Sequence, residues 1–463
     1  MARAAGTFIC SVCEAEALQW AGRCPTCGEW NSLIPSVSTR RGAPALRVAR
    51  PLSSISSAEQ PDPLSTGNSE LDRVLGGGLV AGSVTLLFGP PGIGKSTLLF
   101  QVLSAVSAQG HDVVLASAEE SLGQVLGRAR RLGPVPDRLL AIESHDVMDV
   151  VASLEHCRPD LVVVDSIQSV ADPTLPQPTG SVAQVRSCVE TMTRWAKASG
   201  VPVVLVGHVT KDGDLAGPRV VEHLVDTVLS FDGDRHHAVR VLTAVKHRFG
   251  SAGEVGLFSM GDDGLRPVPD PGPLLLGDRV AGVAGSVVVP VLQGRRPLLV
   301  ELQALLADGS IESRPRAQGL DASRAAMLLA VLKCRAHLPI ERAEIYVAAV
   351  GGITVAEPAA DLALALCLAS AALGQPIPHD AVVVGEVGLA GEVRAVPSCD
   401  RRLAEALRAG FTHAVVPAST PPQAVPEGLE VLRVRMLQEA LAWAVGPEVP
   451  GTMPTWLTET ANR

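Results

Sequence analysis

The chain has 463 residues, 47% hydrophobic and 19% charged, with 39 Lys and Arg against 48 Asp and Glu for a net charge of −9. That apolar content excludes a disordered chain, and the length suits three domains, or two with small modules. The acidic balance excludes a basic nucleic-acid coat, so DNA or RNA could be held only in a local groove.

No run reaches the ~18 apolar residues of a membrane span. Met1–Gly6 carries no apolar stretch, so a cytoplasmic protein without a secretory signal is expected. The Lys residues are only Lys95, Lys197, Lys211, Lys246 and Lys333. In a chain that uses Arg wherever either cation serves, a retained Lys marks a place for a compact ammonium.

Residues 1–34 read as a zinc module. Cys10, Cys13, Cys24 and Cys27 make two C-x2-C knuckles, the spacing that turns four thiolates onto one tetrahedral Zn2+. All four positions are Cys, so the site is closed and structural, and a cytosolic redox poise disfavours two disulfides. Gly22 and Gly28 allow the turns, and Trp20 and Trp30 are expected to pack where the module has too little core. Cys157, Cys188, Cys334, Cys367 and Cys399 sit in apolar patterns and read as inert core residues. Residues 35–60, rich in Ser, Pro and Ala and carrying Arg40, Arg41, Arg47 and Arg50, read as a linker.

Residues 61–270 read as an α/β ATPase domain. The apolar strand Val84–Phe88 runs into Gly89, Pro90, Pro91, Gly92, Ile93, Gly94, Lys95, Ser96 and Thr97, and a helix pattern follows from Leu98. In this strand–loop–helix order, backbone amides cradle phosphates at a helix start, Lys95 reaches the β- and γ-phosphates of ATP, and Ser96 holds Mg2+. Further strands are expected at Val113–Ser117, Leu161–Asp165, Val203–Gly207, Val225–Phe231 and Val239–Val245. The early ones are continuous apolar runs, as in parallel strands buried on both faces. Asp165 ends such a run, where a carboxylate orients Mg2+ and its water. Glu119 and Glu120 end the strand after the phosphate-loop helix, the place of the water-polarising glutamate in a RecA-like core. His208 ends another strand, at the point where a γ-phosphate is sensed.

The motifs, taken in order, carry a resemblance that covers essentially the whole chain. They are Cys24-Pro-Thr-Cys-Gly-Glu-Trp-Asn31, Glu70-Leu-Asp-Arg-Val-Leu-Gly-Gly-Gly-Leu79, Gly92-Ile-Gly-Lys-Ser-Thr97, Asp165-Ser-Ile-Gln168, Gly207-His-Val-Thr-Lys211, Ala216-Gly-Pro-Arg219 and Lys246-His-Arg-Phe-Gly250. Together they resemble the RadA (Sms) family of bacterial DNA-repair proteins. The resemblance implies a zinc module, a RecA/DnaB-like ATPase and a C-terminal Lon-protease-like domain. It also implies a homo-oligomeric, hexameric ring that binds single-stranded and branched DNA and drives branch migration alongside the RecA recombinase. Two positions depart from the family pattern: His247 stands where Asn is usual, and Pro90 where Asp is commoner.

In RecA-like rings, segments 168–184 and 211–222 follow strands where loops enter the ring channel. Gln168, Gln184, Lys211 and Arg219 are therefore expected to meet DNA. Lys246 and Arg248 follow the strand Val239–Val245 and are expected to reach the neighbouring subunit's ATP, as an arginine finger does, with a DNA contact as the competing role.

Residues 271–455 read as a second α/β domain, with a tail at 456–463. Strands Leu298–Ala304, Ile345–Val350 and Ala381–Glu386 alternate with helices Ser323–Ala336 and Asp361–Leu373. Gly351-Gly352, Glu357-Pro-Ala-Ala-Asp361 and Gly385–Arg394 resemble the Lon proteolytic domain, whose chemistry is a Ser–Lys dyad. Ala359 stands at the Ser position and, by register, Asp400 at the Lys position, so the domain is expected to be a scaffold. An ATP-dependent protease and a non-motor ATPase switch of the KaiC type are the alternative functions.

Overall fold

The computed structural model describes residues 8–10, 12, 15–17, 20–30, 32–35, 62–208, 218–233, 239–308, 315–338, 340 and 343–446. Cys13, Lys211, residues 36–60 of the linker and the tail at 456–463 lie outside them, as does the side chain of Arg219. Residues 1–61 and 62–463 are two separate compact units.

In the first unit β1 (Phe8–Cys10) pairs antiparallel with β2 (Glu16–Ala17) and β3 (Leu33–Pro35). Cys10 ends β1. Cys24 and Cys27 occupy a turn in which Gly28 N donates to Cys24 O at 2.9 Å, with Gly28 in the left-handed region at φ 75°. The tryptophans do not build a core, contrary to expectation. Trp20 and Trp30 are 57% and 69% exposed, and the Arg23 guanidinium lies over the Trp30 ring at 5.8 Å. Among the described residues the buried cluster is Cys10 and Cys24 with Ala17 against them.

The second unit begins with a nine-stranded sheet. Its strands are β4 (Val84–Gly89), β5 (Val113–Ser117), β6 (Leu139–Glu143), β7 (Leu161–Asp165), β8 (Val203–His208), β9 (Thr227–Asp232), β10 (Val239–His247), β11 (Val255–Gly261) and β12 (Gly264–Pro267). Their order is β12-β11-β10-β9-β4-β8-β7-β5-β6; β4 to β9 run parallel and β10 to β12 antiparallel. Alternate residues face opposite layers, as the two-residue period of a strand demands. Leu87, Leu115 and Val163 pack with α1 (Ser69–Val74), α2 (Lys95–Ala108) and Val125 of α3 (Leu122–Leu132). Leu86, Val114 and Val162 pack with α4 (Val147–Cys157), α5 (Val182–Ser199) and α6 (Pro218–Val221). Two strand boundaries near Lys246 shift from expectation. Val225 lies in the turn before β9, and β10 runs to His247 through an irregularity between Ala244 and Lys246, so Lys246 belongs to the strand rather than following it.

A second sheet contains β13 (Ser286–Gln293), β14 (Arg296–Asp308), β15 (Arg316–Gln318), β16 (Ala343–Ala349) and β17 (Ala381–Val383). After a small hairpin, β18 (Glu386–Val387) and β19 (Val393–Arg394), it is completed by β20 (His413–Pro417) and β21 (Glu430–Val434) in the order β15-β16-β14-β13-β17-β20-β21. Its helices are α7 (Gly272–Leu276), α8 (Ala322–Ala336), α9 (Asp361–Leu373), α10 (Cys399–Arg408) and α11 (Leu437–Val445). Helix α9 is apolar all round because the sheet, α8 and α11 enclose it.

The two sheets share a core: Val239, Val255 and Leu257 of the first sheet pack in one cluster with Val289, Leu298 and Val300 of the second. Arg296, the first residue of β14, reaches Glu70 of α1 at 2.6 Å, and Arg408 reaches Asp270 at 3.0 Å. Burial raises the Glu70 pKa, but Arg73, the Leu257 amide and Arg296 outweigh it and hold the carboxyl below its usual range. Among the described residues no helix is long and apolar enough to cross a membrane.

Candidate functional site

Strand β4 is clamped between β8 and β9 and delivers the chain to a loop that requires glycine. A Cβ on Gly89 would collide with the carbonyl oxygen of Phe231. Gly94 sits at φ 114°, and a Cβ there would lie 2.9 Å from Met260 Cε. Pro90, Pro91 and Gly92 span the loop, Ile93 anchors it at 1% exposure, and Ser96 and Thr97 enter the first turn of α2. The α2 amides therefore open toward the loop, where phosphate oxygens are favoured. Lys95 is buried, and its Nζ donates to Gly89 O at 2.8 Å and Pro90 O at 3.0 Å. Burial lowers the Lys95 pKa, while the charges of Asp165 and Glu119 oppose that shift.

Three adjacent parallel strands supply the opposing groups. Asp165 ends β7, Glu119 follows β5 and His208 ends β8, and their ligand atoms lie within 4.8 Å of one another. Glu119 Oε1 accepts from Ser166 Oγ and from Ser169 Oγ at 3.1 Å, and lies 3.3 Å from His208 Nε2. The His208 contact chiefly, with the Ser166 hydroxyl and against partial burial, lowers the Glu119 carboxyl to about 2. Ser166 and Ser169 are additions to the residues read from sequence; the run Asp165-Ser-Ile-Gln-Ser169 is the signal that could have found them. Glu120 turns away and pairs with Arg128 at 3.0 Å.

Gln168 faces this same edge, its Nε2 donating to His208 O at 3.3 Å. The expectation that Gln184 meets DNA is corrected. Gln184 is 2% exposed; its amide accepts from Asp172 N at 2.7 Å and donates to Leu175 O at 3.2 Å and Gln177 O at 2.9 Å, so it shapes the loop from inside. Arg219 lies on α6, and Lys211 is outside the described residues.

Lys246 and Arg248 sit at the opposite edge of the sheet. Lys246 pairs with Val228 near the start of β9, whereas Gly89 abuts Phe231 near its end; three residues along a strand are about 10 Å. Lys246 Nζ donates to Glu222 O at 2.6 Å and Val225 O at 2.9 Å, and Arg248 Nη1 to Asp226 Oδ1 at 3.1 Å. His247 turns inward, its Nδ1 3.0 Å from Thr227 Oγ1.

In the second sheet domain Ala359 is buried in the turn before α9, in one cluster with Cys399 and Leu403 of α10. Asp400 stands exposed in the first turn of α10. Arg402, fully buried, donates to the two oxygens of Glu357 at 2.7 and 2.6 Å. An ion pair thus occupies the ground beside positions that carry neither a nucleophile nor a base.

In the small module the Cys10 and Cys27 sulfurs lie 3.6 Å apart, and Cys24 joins them with all three within 4.8 Å of one another. A tetrahedron built on Zn–S bonds of about 2.3 Å has edges of about 3.8 Å, so the thiols fit zinc. The Val12 and Thr26 amides donate to the Cys10 and Cys24 sulfurs at 3.4 Å. A backbone hydrogen bond from Cys27 is the main cause that lowers the Cys24 pKa. Cys10, Cys24 and Cys27 would hold the ion, with the fourth knuckle position, Cys13, outside the described residues.

A glycine-built phosphate cradle at the carboxyl edge of a parallel sheet, faced by acids from two neighbouring strands, defines a RecA-like P-loop ATPase. Family models match an AAA domain at residues 55–214, a rubredoxin metal binding domain at 8–35 and the Lon protease (S16) C-terminal proteolytic domain at 331–446. The chain is 46% identical over 457 residues to the DNA repair protein RadA of Mycobacterium tuberculosis (strain ATCC 25618 / H37Rv), covering 96% of this chain and 94% of that one. Identity is 44% to the RadA of Pseudomonas aeruginosa (95% and 99% covered) and 41% to that of Bacillus subtilis (96% and 100% covered). The chain belongs to the RadA family of DNA-repair ATPases. A solved structure of the RadB recombinase, 25% identical, overlaps 44% of this chain and 98% of its own at a TM-score of 0.36, too low to inform the comparison further.

Proposed function

We propose that the chain is a DNA-dependent ATPase that works as a ring, hexameric by family analogy, on single-stranded and branched DNA, driving branch migration of recombination intermediates with the RecA recombinase. The observation that carries this reading is the convergence of Lys95, Asp165, Glu119 and His208 on one sheet edge. Residues Gly89 to Thr97 bind the ATP phosphates, with Lys95 on the β- and γ-oxygens. Ser96 and Asp165 hold Mg2+, which when bound supplies charge neutralisation at the phosphates. Glu119 polarises the attacking water, and His208, in contact with it, senses the γ-phosphate.

Lys246 and Arg248 act in trans. Strand topology supports this, because both lie at the edge remote from their own phosphate loop and can meet ATP only across a subunit interface. The remaining DNA contacts are Lys211, Arg219 and Gln168. Binding through phosphates is expected to weaken with salt, at a log–log slope of about −0.7 per phosphate neutralised; salt-insensitive binding in filter or anisotropy titrations contradicts it. A protease is disfavoured by Ala359 and Asp400. ATPase assays with and without single-stranded DNA test the motor reading: stimulation supports it, and a rate indifferent to DNA favours the KaiC-type switch.

Glu119→Gln is expected to bind ATP normally and turn over at roughly a hundredth of the wild-type rate, since only the water-polarising charge is lost. Unimpaired turnover in a phosphate-release assay moves the base elsewhere. The depressed Glu119 pKa also sets the sign of its pH effect. Its carboxylate contacts are fully present above the ordinary 4.5 and are lost as pH falls through about 2, so they survive ordinary acid conditions.

A further inference from the structure

We propose that Asp226 is a positioning residue that presents Arg248, and with it Lys246, to the neighbouring subunit's ATP; the proposal rests on the trans reading above. Asp226 ends the turn between α6 and β9, and its side chain is 3% exposed. Its Oδ2 accepts from Val84 N at 3.0 Å and from Lys197 Nζ at 2.7 Å. Its Oδ1 is left for Arg248 Nη1 at 3.1 Å. The backbone repeats the connection: Asp226 N donates to Val84 O at 2.9 Å, and Arg248 N donates to Asp226 O at 3.1 Å. The carboxylate is therefore pinned at the start of β4, the strand that carries the phosphate loop, and offers one oxygen outward.

Arg248 suits the role of second partner. Its side chain is 54% exposed, and a guanidinium has five N–H donors, so it keeps its bond to Asp226 while the others meet a phosphate. Lys246 is aimed by the same turn, through the carbonyls of Glu222 and Val225. Burial pushes the Asp226 pKa up, but Lys197, the Val84 amide and Arg248 outweigh it, so the group stays ionised and holds its cations. A fixed carboxylate behind an exposed fork cuts the orientations that the fork must lose when it engages.

The test is Asp226→Asn in full-length rings. The amide has the same shape and keeps an oxygen for Val84 N while losing the charge that orients Arg248. The expected result is a roughly 10- to 100-fold loss of kcat with little change in the KM for ATP. Arg248→Ala added to Asp226→Asn should cost no more than Arg248→Ala alone, because one residue acts through the other; additive losses overturn the proposal. Asp226→Asn subunits mixed with Lys95→Ala subunits should recover activity, since one keeps an intact loop and the other intact cations; random mixing makes about a quarter of heterologous interfaces competent. Lys246→Ala mixed with Lys95→Ala is the control for the underlying reading. If the control recovers and the Asp226→Asn mixture does not, the positioning role is overturned while trans action stands. If the control stays inactive in confirmed mixed rings, trans action fails and the proposal with it. Should Asp226→Asn not fold, Lys197→Met loosens Asp226 from an exposed position and must lower kcat in the same direction; an unchanged kcat there overturns the proposal.

Discussion

Lys95→Ala is expected to lower ATP hydrolysis to roughly a thousandth of the wild-type rate or less while the fold survives. The lysine is buried at 4% exposure and, among the described residues, donates to Gly89 O and Pro90 O, both in its own loop. Its burial already lowers its pKa, which means that the folded chain holds this charge at a cost that Asp165 and Glu119 only partly offset. Deleting a poorly compensated buried ammonium is therefore neutral or mildly stabilising to the protein. ATP loses much more. Lys95 is the one Lys or Arg in residues 89–97, and charge builds on the γ-phosphate as the transition state forms. Phosphate release and thermal melting measure the two effects separately. Hydrolysis near the wild-type rate would show that residues 89–97 are not the nucleotide loop, and a collapse of the melting temperature would show that Lys95 holds the fold instead.

The parts of this molecule legible in sequence are those whose chemistry is local. The phosphate loop is nine consecutive residues, the cysteine knuckles are set by spacing, and Leu161–Val164 announces a buried strand by being apolar throughout. Illegible are the pairings across long separations. Arg402 meets Glu357, Arg296 meets Glu70 and Arg248 meets Asp226 through strand order and turns that no local period encodes. Gln184 shows the limit from the other side. A polar residue beside a Gly- and Pro-rich loop reads as exposed, yet its amide satisfies the backbone of that loop from within, and only the folded geometry distinguishes the two. Likewise the extension of β10 to His247 depends on an irregular register against β9, a feature of the partner strand as much as of its own residues.

Chelation, or Cys24→Ser, is expected to unfold the first ~35 residues while leaving the melting of the 62–463 unit unchanged, because so small a module cannot fold without its metal. Among the described residues the buried cluster of the module is Cys10 and Cys24 with Ala17 against them, and Trp20 and Trp30 are largely exposed. Three sulfurs within 4.8 Å of one another are favourable as thiolates only with a cation among them; without it their charges repel or they take up protons. Binding of structural zinc releases about 10–16 kcal/mol in small zinc modules, ample to order so short a segment. One equivalent of Zn2+ should be released per chain when a chromogenic chelator and a thiol reagent are added. The fluorescence of Trp20 and Trp30 should change with it, while the ATPase melting transition stays in place. Less than half an equivalent of Zn2+ in freshly purified protein would count against the site, and a module that keeps its fluorescence and protease resistance after complete chelation would show that something other than metal holds it.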